Sequence, residues 1–530
     1  MYKKIYLLMR DEKIEKLLSL AGNENRYQYF ALCVFLFLWM NCNFLAPVLP
    51  YLEREPIVSY VDENGITQKT SLTNEICGKN YEIIERFGYS WISEFNIECD
   101  QFMIGLIGVF TFIGNTLGSV FFAFVPKFLS HKNILILSSI GFSLVIYIIT
   151  LVHDIKYFYI IFIMLLFVGL FGNLLCYSSL VVSEEIVSSR RRSLFSSVIN
   201  TGYAFCGIMY SFIFMYVQNW RSDFYILIGL SLLTGLIIWL FIYDSPRSYI
   251  DNKDMEKTLK ILEGIAEFNG IKEQFLKDIQ SEETKLLIKE ILDYNTGKDV
   301  EMADLENNEN EKNDTKGKDL LIKKENKNQG EKITIFSSLK YPSLRYKFLI
   351  LCALWFGTRS SNNCISLSCK ALPGNYYFNI IILFIFESFA YNVSGVLINI
   401  KALGRKGTLW SQYLIITTIF LLLGFFKFSI PVELFLNFCL RFCAAAIELV
   451  YWTYTLEVYP TPVRSVNFGV NVTCGNIGSI LAPMVYEYMP SWMFLSFFAF
   501  LSVFHSFLLI FLPETEGKPM VETIEELVSK

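Results

Sequence analysis

Twelve long apolar runs constrain this chain more than any other feature of its sequence. A helix needs roughly 20 mostly apolar residues to cross the hydrocarbon core of a bilayer. Runs of that length are predicted near 29–49, 101–125, 133–152, 157–181, 194–217 and 224–243, and again near 346–367, 376–400, 408–428, 431–455, 466–487 and 491–512. The pattern predicts an all-α membrane protein whose twelve transmembrane helices form two sets of six.

The composition agrees with a chain that resides in lipid. Hydrophobic residues make up 53% of the 530 positions and charged residues 18%, whereas a soluble domain usually carries about a quarter charged residues. The net charge of −4 gives no reason to expect nucleic acid as a partner. The three histidines, His131, His153 and His505, are too scattered for a metal site, and no nucleophile–base set is visible. We therefore expect neither an enzyme nor a cofactor.

Basic residues near the ends of the spans predict the orientation. Lys and Arg concentrate on the cytoplasmic side of membrane proteins. Twelve spans place on one side Lys3, Lys4, Arg10, Lys13, Lys127, Lys132, Arg190, Arg191, Arg192, Arg405, Lys406 and Arg464. The loop from Tyr51 to Asp100 holds ten Asp/Glu against four Lys/Arg and falls on the other side. Both termini are thus predicted to be cytoplasmic.

The same order of segments predicts the domain organisation. A cytoplasmic N-terminus, 1–28, precedes a first half, 29–243, that includes an external loop, 50–100. A cytoplasmic linker, 244–345, leads to a second half, 346–512, and a cytoplasmic tail, 513–530. Residues 301–332 are rich in Asn, Lys, Glu and Asp with almost no aromatics, which is typical of a disordered segment.

Charged motifs repeat at a nearly constant offset. Glu184 precedes Arg191 by seven residues after the fourth span, and Glu457 precedes Arg464 by seven after the tenth, so the arginines are 273 residues apart (464 − 191). Further pairs are Lys132 with Lys406 (406 − 132 = 274), and 244–247, which ends in Arg247, with 513–518. The repeat indicates two homologous halves. We expect Glu184, Arg191, Arg247, Arg405, Glu457 and Arg464 to form a gating network. Ordinary positive-inside topology is the alternative, but it does not explain the repeat.

Three segments resemble the major facilitator superfamily and, within it, the organic cation/anion/carnitine transporter family. They are the external loop ending Trp91 to Asp100, the tenth-span ending Tyr454 to Arg464, and the segment Leu512 to Pro519. The resemblance covers nearly the whole chain apart from the linker, and it implies the major facilitator fold and alternating access. The loop has only two cysteines, Cys77 and Cys99, where animal members of the family typically have more, and in an oxidising external space these two are candidates for one disulfide.

Four charged residues are predicted at membrane depth, all in the second half. Arg359 lies in the seventh span, Glu387 in the eighth, and Arg441 and Glu448 share one face of the tenth. A charge at this depth costs roughly 2.5–3.5 kcal/mol on insertion scales, so it requires a reason. The resemblance implies substrate contact for Arg441 and Glu387. The alternative is that these charges pair and only tie helices together.

The other candidate substrate-binding residues are neutral: Tyr177, Trp355, Asn363 and Asn476. Asn476 replaces a position that is often charged in the family, and Asn362 and Asn363 replace aromatic residues. The motif between the second and third spans, 126–132, lacks the family's aspartate, glycine and paired arginines. A cavity rich in amides with charges of both signs suits a zwitterion or a polar organic ion.

We therefore expect a monomeric carrier of small organic ions, such as carnitine-like zwitterions, in the lipid of the plasma membrane. A sugar-porter-like carrier and a sensor without transport activity remain the alternatives.

Overall fold

The computed structural model describes residues 13–22, 25–61, 67–72, 74–122, 124–187, 189–251, 254–296, 339, 341–368, 372–398, 400–459 and 461–515. The side chains of Glu184, Arg191 and Arg464 lie outside the described set.

Twelve long helices dominate the described residues. The first half contains α1 (Arg26–Cys42, continued by Leu45–Leu52), α2 (Gln101–Phe122), α3 (His131–Thr150), α4 (Phe158–Glu185), α5 (Ser189–Tyr216) and α6 (Trp220–Phe241). The second half contains α7 (Pro342–Leu367), α8 (Tyr376–Leu397), α9 (Gly404–Phe425), α10 (Ile430–Val458), α11 (Thr461–Tyr488) and α12 (Ser491–Leu508). The predicted two sets of six helices are confirmed.

Eleven of these twelve helices are long and apolar enough to cross a membrane. The exception is α7, which carries the polar run from Arg359 to Asn363 at its centre. Large apolar side chains such as Leu144, Trp239 and Phe500 point outward and are exposed, as expected for surfaces that contact lipid. Several helices begin up to five residues earlier than predicted, because polar turns such as the one at Ser189 extend them beyond the apolar run.

The halves meet along two helix pairs, α2 with α11 and α5 with α8. Glycines permit close approach in both pairs. A Cβ atom at Gly108 would lie 2.5 Å from Pro483 Cγ, and one at Gly207 would overlap the ring of Phe384. The packing between the halves therefore depends on residues without side chains at these points.

The segment between α1 and α2 forms a small domain. Strands β1 (Ile57–Val61), β2 (Thr67–Ser71) and β3 (Tyr81–Glu85) form an antiparallel sheet in the order β2-β1-β3, with Val58 opposite both Thr70 and Ile83. Short helices cover Asn74–Cys77 and Trp91–Phe95. Cys77 and Cys99 are bonded, with an S–S distance of 2.09 Å. We call the side of the molecule that carries this domain the loop end.

The opposite side, the linker end, carries further helices: Pro246–Asp251, Met255–Asn269, Lys272–Gln280 and Glu282–Thr296. A helical N-terminal segment, 13–19, packs on them. Lys13 pairs with Glu290 at 3.0 Å and Lys16 with Glu283 at 2.6 Å. These helices were not predicted from the sequence, and residues 301–332, where disorder was predicted, lie outside the described residues.

Candidate functional site

The four charged residues at membrane depth form two ion pairs in the second half. Arg441 of α10 binds Glu387 of α8 through Nη2 at 2.6 Å and Nε at 3.1 Å. Arg359 of α7 binds Glu448 of α10 through Nη1 at 2.8 Å. Arg441 and Glu448 are seven residues apart, about two helical turns, so α10 presents both toward its neighbours.

One amide joins the two ion pairs. Asn362 of α7 accepts hydrogen bonds from Arg441 Nη1 at its side-chain oxygen, 2.6 Å away, and at its carbonyl oxygen, 3.2 Å away. Its side-chain nitrogen donates to Glu448. The pairs therefore form one continuous network across α7, α8 and α10 with no net charge.

The two pairs differ in their access to solvent. The side chains of Arg441 and Glu387 are only 3% and 1% exposed, and the Tyr391 hydroxyl donates to Glu387 at 2.8 Å. The side chains of Arg359 and Glu448 are 24% and 13% exposed. The first pair is thus enclosed by protein, whereas the second is partly exposed.

Aromatic rings flank the more exposed pair. The guanidinium carbon of Arg359 lies 5.8 Å from the ring centroid of Trp355 and 5.7 Å from that of Trp452, which is within cation–π range. The indole of Trp355 is fixed by donation to Thr455 Oγ1 at 2.9 Å. Trp355 is 1% exposed, so it supports Arg359 rather than lining open space.

Neutral polar residues face this pair from the first half. Ser119 of α2 lies 3.3 Å from the Tyr177 hydroxyl and accepts from Asn173 and Asn476, each at 3.4 Å. The last bond crosses from α11 to α2 and joins the two halves. The Asn363 amide donates to Ser479 of α11 at 2.8 Å and to the backbone carbonyl of Arg359 at 3.0 Å.

The structure thus places Trp355 and Asn363 against Arg359, and it links Tyr177 with Asn476 through Ser119. The prediction that they bind substrate stays a prediction. Asn362, Trp452 and Ser119 were not predicted as site residues. The position of Asn362, three residues after Arg359, puts both on one face of α7 and was a signal in the sequence.

The linker end contains a second polar cluster, which repeats in both halves. Glu514 accepts hydrogen bonds from the backbone nitrogens of Arg405 and Lys406 at 3.1 and 2.9 Å. Asp244 accepts in the same way from the backbone nitrogen of Lys132 at 3.4 Å. Each carboxylate therefore caps the start of α9 or α3.

The carboxylates at the ends of α10 and α4 repeat as well. Glu457 accepts from Thr515 Oγ1 at 2.6 Å, and Glu185 accepts from Ser245 Oγ. By these contacts Glu185 takes the place in the first half that Glu457 takes in the second. The side chain of Glu184 lies outside the described residues, so its gating role stays a prediction.

Two further ion pairs between described residues lie at the linker end. Arg405 Nη2 binds Glu457 at 2.9 Å, and Arg247 Nη2 lies 3.4 Å from Glu15 of the N-terminal segment. The position equivalent to Arg405 in the first half is His131 (405 − 131 = 274), and no ion pair of His131 is found in the described part of the chain.

At the loop end, aromatic contacts join the halves. Tyr51 lies near the end of α1, and Tyr376 and Tyr377 lie at the start of α8. The ring centroid of Tyr51 is 5.3 Å from that of Tyr376 and 5.9 Å from that of Tyr377. The hydroxyl of Tyr376 donates to the carbonyl of Pro50. The halves are thus in contact at the loop end in this conformation.

No group of three or more His, Cys, Asp or Glu residues suited to a metal ion is found among the described residues.

Comparisons with known proteins identify the family. The Major Facilitator Superfamily model matches residues 31–483. The solute carrier family 22 member 15-like protein of Xenopus laevis is 24% identical, with 83% of this chain and 82% of that protein covered. Organic cation/carnitine transporter 4 of Arabidopsis thaliana is 25% identical over 96% of this chain and 90% of its own, and organic cation/carnitine transporter 2 of Rattus norvegicus is 25% identical over 82% and 71%.

Among solved structures, an inward open conformation of the xylose transporter XylE from E. coli matches with a TM-score of 0.60 at 12% identity, covering 95% of this chain and 98% of that one. At this identity the likeness concerns the fold. The matched span of the family model contains α2 to α10 in full and most of α1 and α11, and the chain belongs to the Major Facilitator Superfamily.

Proposed function

We propose that this protein is a carrier of small organic ions, with zwitterions preferred. We further propose that Arg359 and Glu448 form its central substrate-binding site. The observation that carries the proposal is an ion pair of both signs at membrane depth whose two side chains are 24% and 13% exposed. The names of the relatives, organic cation/carnitine transporters and solute carrier family 22 members, support a substrate of this class.

A zwitterion fits this pair because it offers each member, Arg359 and Glu448, a partner of the opposite charge at the same time. Its carboxylate binds the Arg359 guanidinium, and its cationic group binds the Glu448 carboxylate beside the ring of Trp452. Both charges of the ion pair then keep a partner. A buried charge left without a partner would cost several kcal/mol. An ion of one sign satisfies only one member of the pair.

The neutral residues opposite, Ser119, Asn173 and Tyr177, complete the site from the first half. They offer hydrogen bonds without a competing charge. A substrate held between them and Arg359 contacts both halves, so its binding favours the conformations in which the halves enclose it. The network at the linker end and the aromatic contacts at the loop end then serve as alternate gates.

We further propose that the linker end faces the cytoplasm, that the protein works as a monomer, and that it resides in the plasma membrane. The basic residues near the span ends support this orientation.

The test is uptake into proteoliposomes of labelled carnitine, choline, a neutral amino acid and a hexose. Arg359→Gln and Glu448→Gln are each expected to reduce saturable zwitterion uptake by about 10- to 100-fold, since a hydrogen bond to a charged group contributes about 1.5–3 kcal/mol. Glu433→Gln, the same change near the start of α10, is the matched control and is expected to retain uptake.

Zwitterion uptake at the wild-type rate in both folded variants, Arg359→Gln and Glu448→Gln, would contradict the assignment of the substrate-binding site. Uptake of the hexose alone would favour the sugar-porter alternative. No flux of any compound would favour a sensor.

A further inference from the structure

A guanidinium at the loop end is enclosed by aromatic rings. The Arg54 guanidinium carbon lies 3.6 Å from the ring centroid of Phe87 and 4.3 Å from that of Tyr376. The rings of Tyr377 and Tyr89 follow at 5.6 and 5.9 Å. We call Phe87, Tyr89, Tyr376 and Tyr377 the aromatic cage.

Hydrogen bonds hold the cage in place. Asn375 caps α8 by accepting from the backbone nitrogens of Tyr377 and Phe378 at 3.1 and 3.2 Å, which orients the first turn of that helix. The hydroxyl of Tyr377 donates to that of Tyr89 at 3.0 Å. Ser90 donates to the carbonyl of Arg54 at 2.6 Å, which fixes the backbone from which Arg54 projects.

Arg54 has neutral partners in this cage. Its Nη1 donates to the Tyr89 hydroxyl, and no ion pair to Arg54 is found among the described residues. Burial raises the pKa of Tyr89, so that hydroxyl stays neutral. The positive charge is therefore balanced chiefly by the faces of the rings, an arrangement that also selects quaternary ammonium ions.

The cage is built from both halves. Arg54, Phe87 and Tyr89 belong to the first half, and Tyr376 and Tyr377 to the second. Separation of the halves at the loop end removes Arg54 from the two rings of α8. Those two rings then lose the cation that they contact in this conformation.

We propose that the aromatic cage is a second binding site, for organic ammonium cations, that Arg54 fills in this conformation. An ammonium ion arriving from the loop side competes with Arg54 for the same rings. Its binding in place of Arg54 weakens the contact between the halves and so favours opening of the loop end. This site is separate from the Arg359–Glu448 pair and does not rest on the function proposed for that pair.

The test is calorimetric titration of the full-length protein in detergent with tetramethylammonium, with tert-butanol as the neutral analogue. Arg54→Ala is expected to bind tetramethylammonium at least about tenfold more tightly than the wild type, because it removes the competing cation. Tyr376→Leu in the Arg54→Ala background is expected to abolish the gain. Neither the wild type nor Arg54→Ala is expected to bind tert-butanol measurably.

Two controls keep the result specific. Lys79→Ala removes another loop cation, whose nitrogen lies 5.8 Å from the single ring of Tyr60, and is expected to leave binding unchanged. Glu448→Gln combined with Arg54→Ala is expected to keep the gain, which separates this site from the central one. If Arg54→Ala does not fold, Arg54→Gln, which retains a donor to Tyr89, takes its place.

Folded Arg54→Ala or Arg54→Gln protein without tighter binding would overturn the proposal. A gain that survives Tyr376→Leu would overturn it as well, since the cation would then bind elsewhere.

Discussion

The two halves share a frame of hydrogen bonds but differ in charge. At the linker end each half caps the start of a helix, α3 or α9, with a carboxylate, Asp244 or Glu514. In each half a hydroxyl also donates to a carboxylate at the end of the next helix, α4 or α10. At membrane depth the second half carries two ion pairs, whereas the facing residues of the first half, Ser119 and Tyr177, are neutral.

The difference teaches which polar contacts the fold requires. Every helix start leaves backbone N–H groups that need acceptors, so both halves keep the capping carboxylates. A charge at membrane depth is costly and not needed for packing. It is retained in one half, where we infer that it serves the substrate.

The largest expected effect comes from breaking the enclosed pair of the second half. Arg441→Met leaves Glu387, which is 0% exposed, without its cationic partner. We expect a loss of about 3–5 kcal/mol in the free energy of unfolding, because an unpaired buried charge is strongly destabilising. Thermal unfolding in detergent measures it. Arg441→Met with Glu387→Leu is expected to recover most of the loss. Equal destabilisation of the single and double variants would show that the charge is not the cause.

A smaller effect is expected when the linking amide is removed. Asn362→Leu deletes the bonds between the two ion pairs and leaves a donor of Arg441 unsatisfied, at a cost of about 1–3 kcal/mol. A double-mutant cycle between Arg359→Gln and Arg441→Met measures the coupling energy, which we expect to fall toward zero in this background. Asn392→Leu, at an exposed position of α8, is the matched control. An unchanged coupling energy would mean that the pairs communicate by another route.

Exchanging the residues that distinguish the two linker-end clusters tests the comparison directly. Arg405→His in the second half removes the bond to Glu457, whose side chain is 15% exposed, and is expected to cost about 1–2 kcal/mol. The reciprocal His131→Arg is expected to change stability by less than about 1 kcal/mol, as partly exposed pairs contribute little. Chemical unfolding in detergent compares them. Equal and opposite effects would show that the two clusters are energetically equivalent.

The smallest effect is expected at the contact between the N-terminal segment and the linker helices, which lies at the linker end outside both halves. A hydrogen bond from Lys16 lowers the pKa of Glu283. A carboxylate with a lowered pKa contributes stability above its ordinary pKa and loses it as the pH falls through the lowered value. The protection of amides in 282–296 against hydrogen exchange, measured relative to the intrinsic rate at each pH, is thus expected to fall slightly below about pH 4. Lys16→Ala should remove that pH dependence. A dependence that persists in this variant would assign it to another carboxylate.

Much of the fold was predictable from the sequence. The apolar runs gave the helices to within a few residues, because lipid leaves backbone groups no other partners. The motif repeat likewise indicated two halves. The sheet at the loop end was not predicted, since β1 to β3 are short and the register depends on their pairing.

The central site was predictable only in part. The cost of charges at membrane depth singled out Arg359, Glu387, Arg441 and Glu448 before their contacts were known. Their pairing, and the role of Asn362 between them, depend on how α7, α8 and α10 pack.

The sequence by itself determined the lipid-facing helices, their repeat and the residues whose charge needs a reason, because hydropathy and spacing are local properties. Only the tertiary structure decided which charges are enclosed, which are partly exposed, and that Arg54 lies among rings from both halves. These properties arise from contacts between distant segments, because Arg441 and Glu387 are 54 residues apart and Pro50 and Tyr376 are 326 residues apart.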